Sequence, residues 1–294
     1  MSKGYVATVG SFDGIHLGHQ KLFQRVLKIS NERKLNSMII TFKPHPRTVL
    51  NGNAPPLLLS DEYKHQRLQS YGFDRIEILK FTRDLSETSP KEFIYEVLLS
   101  KFQVRHLVIG FNHHLGFHRS GDVKFIEHYT SEIGMDFDIV EPVTFYHTVI
   151  SSTYIRKALT QGKVDLAHKL MGCPYRLEGY TVKGAGRGKI LGFPTVNIQP
   201  KKNMLKVKDG VYAVKVILNH INHKGAAFVG DSPTFREGYR IEIHIPDVSD
   251  IQLSKKIKID FFLRLRDIIK FDNISDLKKA IRSDINKVRN LDSL

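Results

Sequence analysis

The chain predicts an α/β protein of two domains, a mostly parallel sheet covered by helices followed by a β-barrel and a C-terminal helix. Three observations predict it. Apolar stretches that read as strands alternate with amphipathic helical stretches up to about residue 140. After Gly172-Cys173-Pro174 the pattern changes to short strands separated by turns, as in a closed or nearly closed barrel. The end of the chain carries Ile274, Leu277, Ile281, Ile285 and Val288 at helical spacing. A length of 294 residues with 41% hydrophobic residues is comfortable for two cores and long for one.

In order, the first half offers strands at 5–9, 37–42, 75–79, 104–109 and 137–140, with helices at 20–33, 60–70, 89–100 and 123–132. Ser89-Pro90 supplies an N-cap followed by a proline at the first helical position. Two short helices follow at 153–160 and 163–171. Strands are expected at 176–183, 210–218, 226–229, 239–245 and 256–263, and a helix at 274–290 starts from Asn273 or from Ser275-Asp276. The boundary is placed near 172–176, giving domains 1–172 and 173–294. Ligands of such sheets bind beyond the carboxyl ends of the strands, where 10–19 and 110–116 fall.

Composition narrows the partners. The lone Cys173 excludes an internal disulfide framework, and the start MSKGYVATVG has no apolar leader. No stretch reaches the length of a membrane span, so a soluble cytoplasmic protein without a membrane partner is expected. A net charge of +15 suits an anionic partner. Lysine and arginine are spread along the whole chain, and neither a zinc-finger pattern nor an aromatic RNA-binding signature appears, so no nucleic acid is expected. Phosphate-bearing small molecules suit the charge equally well, and a solvated basic surface accounts for most of it.

The most informative segment is GSFDGIHLGHQ at 10–20, which ends a strand and opens a helix. Gly10, Gly14 and Gly18 permit a tight turn and close approach of phosphate oxygens, while the helix N–H groups favour negative charge. His16 and His19 lie about one turn apart and can point at the same phosphates. The same spacing could begin a metal site, but zinc needs more ligands and Cys173 is remote. Three further segments, TFKPHPRTVL, VIGFNHHLGFHRSGD and ISSTYIRKALTQG, follow in order. Together they resemble the nucleotidyltransferase superfamily, and most closely the prokaryotic riboflavin kinase/FAD synthetase family.

That resemblance implies an adenylyl transfer in which a phosphate oxygen attacks the α-phosphorus of ATP, so that catalysis is alignment and charge stabilisation. His16 and His19 are implied as the catalytic pair on the phosphates, within a motif whose Gly10, Phe12, Asp13 and Gly18 also bind ATP. Asn112 is implied to align the phosphates. Ser151, Ser152, Thr153 and Arg156 match a phosphate-gripping motif, for which an ordinary N-cap is the plainer reading of Ser152 and Thr153. His45, in Pro44-His45-Pro46, is implied to lie near the flavin. One departure stands out: His113, His114 and Leu115 follow Asn112 where the family carries aromatics, leaving Phe111 and Phe117 to stack on flavin.

GAGRGKILGFPTVN at 184–197 resembles the ATP loop of riboflavin kinase. Gly184, Gly186, Arg187 and Gly188 are implied at the ATP phosphates, and Thr195 and Asn197 offer oxygens to Mg²⁺. Alternation puts Ile241, Ile243 and Ile245 on one face and Glu242 with His244 on the other. Glu242 matches the catalytic glutamate that accepts the riboflavin hydroxyl proton. Arg266 and Phe271 match a flavin-binding tail segment. Phe228 and Ser232 replace the family's usual residues, and PDVSDIQLSKK replaces an acidic, glycine-bearing turn, which predicts weaker riboflavin binding. The implied whole is a bifunctional enzyme that uses Mg²⁺-ATP, riboflavin and FMN and produces FMN and FAD. The alternatives are an FAD synthetase with a weak or inactive barrel, and a flavin-sensing or RNA-binding regulator on the same scaffold.

Overall fold

The structure, a computed structural model, describes residues 4–52, 54–184, 186–231, 239–246, 248 and 255–292. Packing divides the chain into two compact units, Met1–Pro55 with Asp61–Ser151, and Pro56–Ser60 with Ser152–Leu294. Among the described residues no helix is long and apolar enough to cross a membrane.

The first unit is built on a five-stranded parallel sheet of order β3-β2-β1-β4-β5. Its strands are β1 (Tyr5–Val9), β2 (Asn36–Lys43), β3 (Arg75–Lys80), β4 (Val104–Gly110) and β5 (Asp136–Val140). Parallel neighbours need crossovers, and helices supply them. These are α1 (Leu17–Arg33), α2 (Pro46–Asn51), α3 (Asp61–Gln69), α4 (Arg83–Glu87), α5 (Pro90–Glu92) and α6 (Val123–Glu132). The helix expected over 89–100 is present but changes winding, since α5 runs into π-helical turns over Phe93–Lys101. Its start is the capping box expected of Ser89, closed by Glu92. A hairpin of β6 (Thr144–Phe145) and β7 (Thr148–Val149) completes the unit.

Central β1 is apolar on both faces, with Val6 and Ala7 fully buried, as a doubly covered parallel strand must be. Strand order reverses at β1, which pairs with β2 on one side and β4 on the other. That reversal opens a crevice beyond the strands' carboxyl ends. Arg25 of α1 and His106 of β4 both hydrogen-bond Asp138 of β5, each at 2.7 Å, tying helix and two strands together.

The second unit is a closed barrel of order β10-β11-β12-β9-β8-β13, all neighbours antiparallel. Its strands are β8 (Tyr175–Val182), β9 (Thr195–Pro200), β10 (Gly210–Leu218), β11 (Ile221–Asp231), β12 (Tyr239–His244) and β13 (Lys256–Arg266). Helices α7 (Ser152–Thr160), α8 (Val164–Met171), α9 (Arg187–Leu191) and α10 (Ile274–Arg289) complete it. Asn273 is the cap of α10, its side chain accepting from Asp276 N at 2.9 Å. Helix α8 packs on β13 and β8, so α7 and α8 group with the barrel by packing although motif order places them before residue 172.

Besides the short helix α9 in the glycine loop, three features of this unit were not foreseen. Strand β9 escaped because Pro194 and Pro200 frame it and only Val196 and Ile198 alternate as apolar residues. Strand β11 starts five residues before the expected 226, because Asn219 and His220, both with positive φ, form a two-residue hairpin turn that pairs Leu218 with Ile221. The segment 56–60 is knitted into the barrel unit: Leu57 bridges to Met204, and the Ser60 hydroxyl donates to Glu178 at 2.5 Å.

The β8–β13 seam carries a bidentate pair, Arg176 to Asp260 at 2.6 and 2.7 Å, with the carboxylate nearly buried. Removing one partner strands the other charge away from water, which costs about 3–5 kcal/mol. Asp260→Ala is therefore expected to lose several times the stability lost by Asn273→Ala, which removes a cap worth about 1 kcal/mol. Urea unfolding followed by circular dichroism measures both.

Candidate active sites

The first site grows from the end of β1. Gly10 N–H bonds to Ile40 carbonyl at 3.0 Å, and the chain then turns through Phe12 (φ 47°), Gly14 (φ 88°) and Ile15 (φ 40°) before α1 begins. Positive φ at bulky residues is strained, and burial of both Phe12 and Ile15 offsets it. Of the three motif glycines, Gly14 turns the chain. Gly10 and Gly18 instead make room for rings: a Cβ at Gly10 would lie 2.9 Å from the Phe12 ring, and one at Gly18 3.2 Å from the His16 ring.

His16 and His19 are brought together, their rings stacked with centroids 3.7 Å apart, and Phe12 meets His19 edge-on at 5.3 Å. Both histidines are neutral. Burial pushes His16 down to about 4, and burial, with His16 and Lys64 as neighbours, holds His19 well below its ordinary value. Each Nδ1 is buried without a hydrogen-bond partner among the described residues. As neutral imidazoles the pair can offer hydrogen bonds rather than two cationic charges.

Asp13 is buried in the same turn. Two residues that sequence reasoning missed face this turn from α3. Lys64 Nζ donates to the Ser11 carbonyl at 2.9 Å and to Thr41 Oγ1 at 3.0 Å, and Arg67 reaches the Gly14 carbonyl at 3.5 Å. The available signal was helical spacing: Lys64 lies one turn before the buried Leu68 and so on the inward side.

Asn112 is exposed in the turn after β4, where the crevice was expected. Beside it His113 is pushed by burial, with help from His114 and Arg119, to about 4, and its Nε2 is buried without a partner among the described residues. Phe111 and Phe117 are exposed. His45 caps α2, its Nδ1 accepting from Arg47 N at 3.2 Å, so Pro44-His45-Pro46 forms the start of a short helix. Ser151 closes the first unit, while Ser152, Thr153 and Arg156 begin α7 in the second. Arg156 donates to the Pro56 carbonyl at 2.9 Å.

The barrel site is set by strand register. Glu242 of β12 lies opposite Asn197 of β9, and His244 opposite Thr195. Directly paired residues share a face, so Glu242 and Asn197 sit side by side with Thr195 two residues along. On its other flank Glu242 pairs with Phe228 of β11, whose ring is exposed. Ser232 and most of PDVSDIQLSKK lie outside the described residues.

The glycines of the loop pack against the same two side chains. A Cβ at Gly184 would overlap the Asn197 amide, and one at Gly188 would lie 3.0 Å from Thr195 Oγ1. Gly186, with φ 71°, precedes α9, which Arg187 opens. The Asn197 side-chain oxygen is buried without a partner among the described residues, a position fitted to a hard cation. No three His, Cys, Asp or Glu side chains gather among the described residues to hold a metal by themselves. Hydroxyl and amide oxygens together with substrate phosphates match what Mg²⁺ takes.

Next to this lies a cleft of about 670 Å³, lined by Phe193, His244, Pro246, Arg282, Asn286 and Arg289. His244 Nδ1–H donates to the Pro194 carbonyl at 2.8 Å, which fixes the ring at the cleft wall. The cations Arg282 and Arg289 come from α10 and were not singled out by sequence. Arg266 points to the same helix: it bonds Asp284 at 2.9 Å and its guanidinium lies 5.9 Å from the Phe271 ring centroid. Its visible work is to hold α10 against β13.

Comparison with known proteins covers the segments that carry both sites. A family model described as FAD synthetase matches residues 1–154, and one described as riboflavin kinase matches residues 171–291. A bifunctional riboflavin kinase/FMN adenylyltransferase of Buchnera aphidicola is 33% identical, with 95% of this chain and 91% of that protein covered. The Bacillus subtilis protein of the same description is 34% identical, over 95% and 90%. A crystal structure from Streptococcus pneumoniae, described as a macrolide-efflux protein, superposes with a TM-score of 0.89 at 28% identity, covering 99% of this chain and 96% of its own.

The neutral histidines give stability a pH dependence of definite sign. Unfolded, His16 takes up a proton near its ordinary 6.5, whereas folded it does so near 4. Between those values the unfolded chain binds more protons, so stability falls as pH is lowered through the window, by about 1.4 kcal/mol per pH unit for one such group. The slope is expected to shrink in His16→Gln when denaturant midpoints are measured from pH 7 to 4.

Proposed function

Because this chain belongs to the bifunctional riboflavin kinase/FMN adenylyltransferase family, we propose that it makes both flavin nucleotides from riboflavin. In the barrel, riboflavin and ATP give FMN and ADP; in the parallel-sheet unit, FMN and a second ATP give FAD and pyrophosphate. By motif the roles divide at 1–172 and 173–294. The single Cys173 and the dependence on ATP suit the cytoplasm.

For phosphorylation, Glu242 takes the proton of the riboflavin 5′-hydroxyl as its oxygen attacks the γ-phosphorus and ADP departs. Thr195 and Asn197 would hold Mg²⁺ with the ATP phosphates, where the ion offsets phosphate charge. Gly184, Gly186, Arg187 and Gly188 keep the loop close to the phosphates, and the cationic cleft along α10 receives the rest of the nucleotide. Phe228, Arg266 and Phe271 flank the flavin. For adenylyl transfer, His16 and His19 donate hydrogen bonds to the transferring group and departing pyrophosphate, with Gly10, Phe12, Asp13 and Gly18 shaping their turn. Asn112, Ser151, Ser152, Thr153 and Arg156 align the phosphates, and His45 borders the flavin.

The partnerless Asn197 oxygen beside Glu242 carries this reading over that of an FAD synthetase with an inert barrel. An unpaired buried carbonyl costs about 1–3 kcal/mol, a cost that a bound cation removes.

The test is incubation of purified protein with Mg²⁺-ATP and either riboflavin or FMN, followed by chromatography of the flavins. Riboflavin is expected to pass through FMN to FAD. Glu242→Gln should stop FMN formation yet still convert supplied FMN to FAD. His19→Ala, and more weakly His16→Ala, should do the reverse, with FAD formation slowed about a hundred- to a thousandfold. Wild-type protein that makes FAD from FMN but no FMN from riboflavin would leave the synthetase-only reading in place.

A further inference from the structure

The adenylyl-transfer site holds two histidines that are both neutral, yet the reaction it is assigned concentrates charge. A phosphate oxygen of FMN forms a bond to the α-phosphorus of ATP while the bond from that phosphorus to its bridging oxygen breaks. Pyrophosphate leaves with the bonding pair, and no proton transfer is required. Neutral imidazoles offer N–H dipoles to that charge but no counter-charge.

Lys64 is placed to supply it. Its ammonium sits at the carboxyl ends of β1 and β2, bonded at 2.9 Å to Ser11 carbonyl and at 3.0 Å to the hydroxyl of fully buried Thr41. It is close enough to His19 to help keep that ring uncharged. Of the other cations nearby, Lys43 is paired with Asp61 at 2.9 Å, and Arg67 reaches the Gly14 carbonyl further along the turn at 3.5 Å. From the adenylyl-transfer reading above, we infer that Lys64 provides the fixed positive charge of that site, stabilising the departing pyrophosphate while tying the strained turn 11–15 to β2.

The tie and the charge are separable. Glutamine at 64 can still donate to the Ser11 carbonyl but carries no charge; arginine keeps the charge. Burial lowers the Lys64 ammonium against the opposing effect of Asp13 and Asp61, with Lys43 and His19 also facing it, so the charge is lost at alkaline pH earlier than for an exposed lysine. Arginine does not lose it.

The experiment uses the full chain with FMN and Mg²⁺-ATP, following FAD formation across pH, with inorganic pyrophosphate binding measured by calorimetry and folding by thermal melts. Lys64→Gln and Lys64→Met are expected to slow FAD formation about a hundredfold, mainly in kcat, and to weaken pyrophosphate binding. Lys64→Arg should stay within about tenfold of wild type and keep its rate further into alkaline pH. Riboflavin phosphorylation should be unchanged throughout. Lys64→Gln as fast as wild type overturns the inference, since the tie alone then suffices; so does folded Lys64→Arg as slow as Lys64→Met. Failure of wild type to make FAD from FMN would instead remove the adenylyl-transfer reading itself.

Discussion

A turn that cannot relax holds the first site in shape. Phe12 and Ile15 both adopt left-handed backbone angles, and they persist there because their side chains are buried and two carbonyls of the turn, Ser11 and Gly14, are held by Lys64 and Arg67 from one face of α3. The stacked histidines follow from this. With Phe12 edge-on against His19 and Gly18 leaving space for His16, the two rings stack and both Nδ1 atoms are buried. Burial lowers both pKa values and so disfavours the charged rings.

The barrel obeys a different constraint, closure. With no free edge, the register of each strand is set by both neighbours, and a one-residue slip would carry Glu242 inside and Ile241 or Ile243 out. Glu242 is thereby held beside Asn197 by strand pairing rather than by a side-chain hydrogen bond among the described residues. The loop glycines serve the same layer, since a side chain at Gly184 would overlap the Asn197 amide and one at Gly188 would crowd the Phe193 carbonyl and Thr195.

Fold class was readable because periodicity changes sharply near residue 172 and because parallel strands such as β1 are mostly apolar on both faces. What escaped was what periodicity does not encode. Strand β9 has too few apolar residues between its prolines, and segment 56–60 joins the barrel through Leu57 and Ser60, a contact far apart in sequence. Around the sites, residues inside motifs were named from sequence and residues that reach in from other elements were not. Lys64 and Arg282 look like ordinary surface charges on amphipathic helices until the fold shows what they face. The histidines were located correctly as a pair, but their lack of charge depends on burial, which sequence cannot supply.

The division between the two activities also differs from the division in packing, for a physical reason. Helices α7 and α8 bury Ile155, Ala158, Leu159, Val164, Ala167, Leu170 and Met171, and α8 lays its face on β8 and β13. An amphipathic helix must cover that face somewhere, and here the barrel covers it. Ser152, Thr153 and Arg156 therefore ride on a helix that packs within the second unit, although motif resemblance groups them with the first. A cut at residue 172 would keep every motif of adenylyl transfer and strip the last of them of its support, so a chemical boundary drawn from motifs is not, in this chain, a boundary at which either part is self-sufficient.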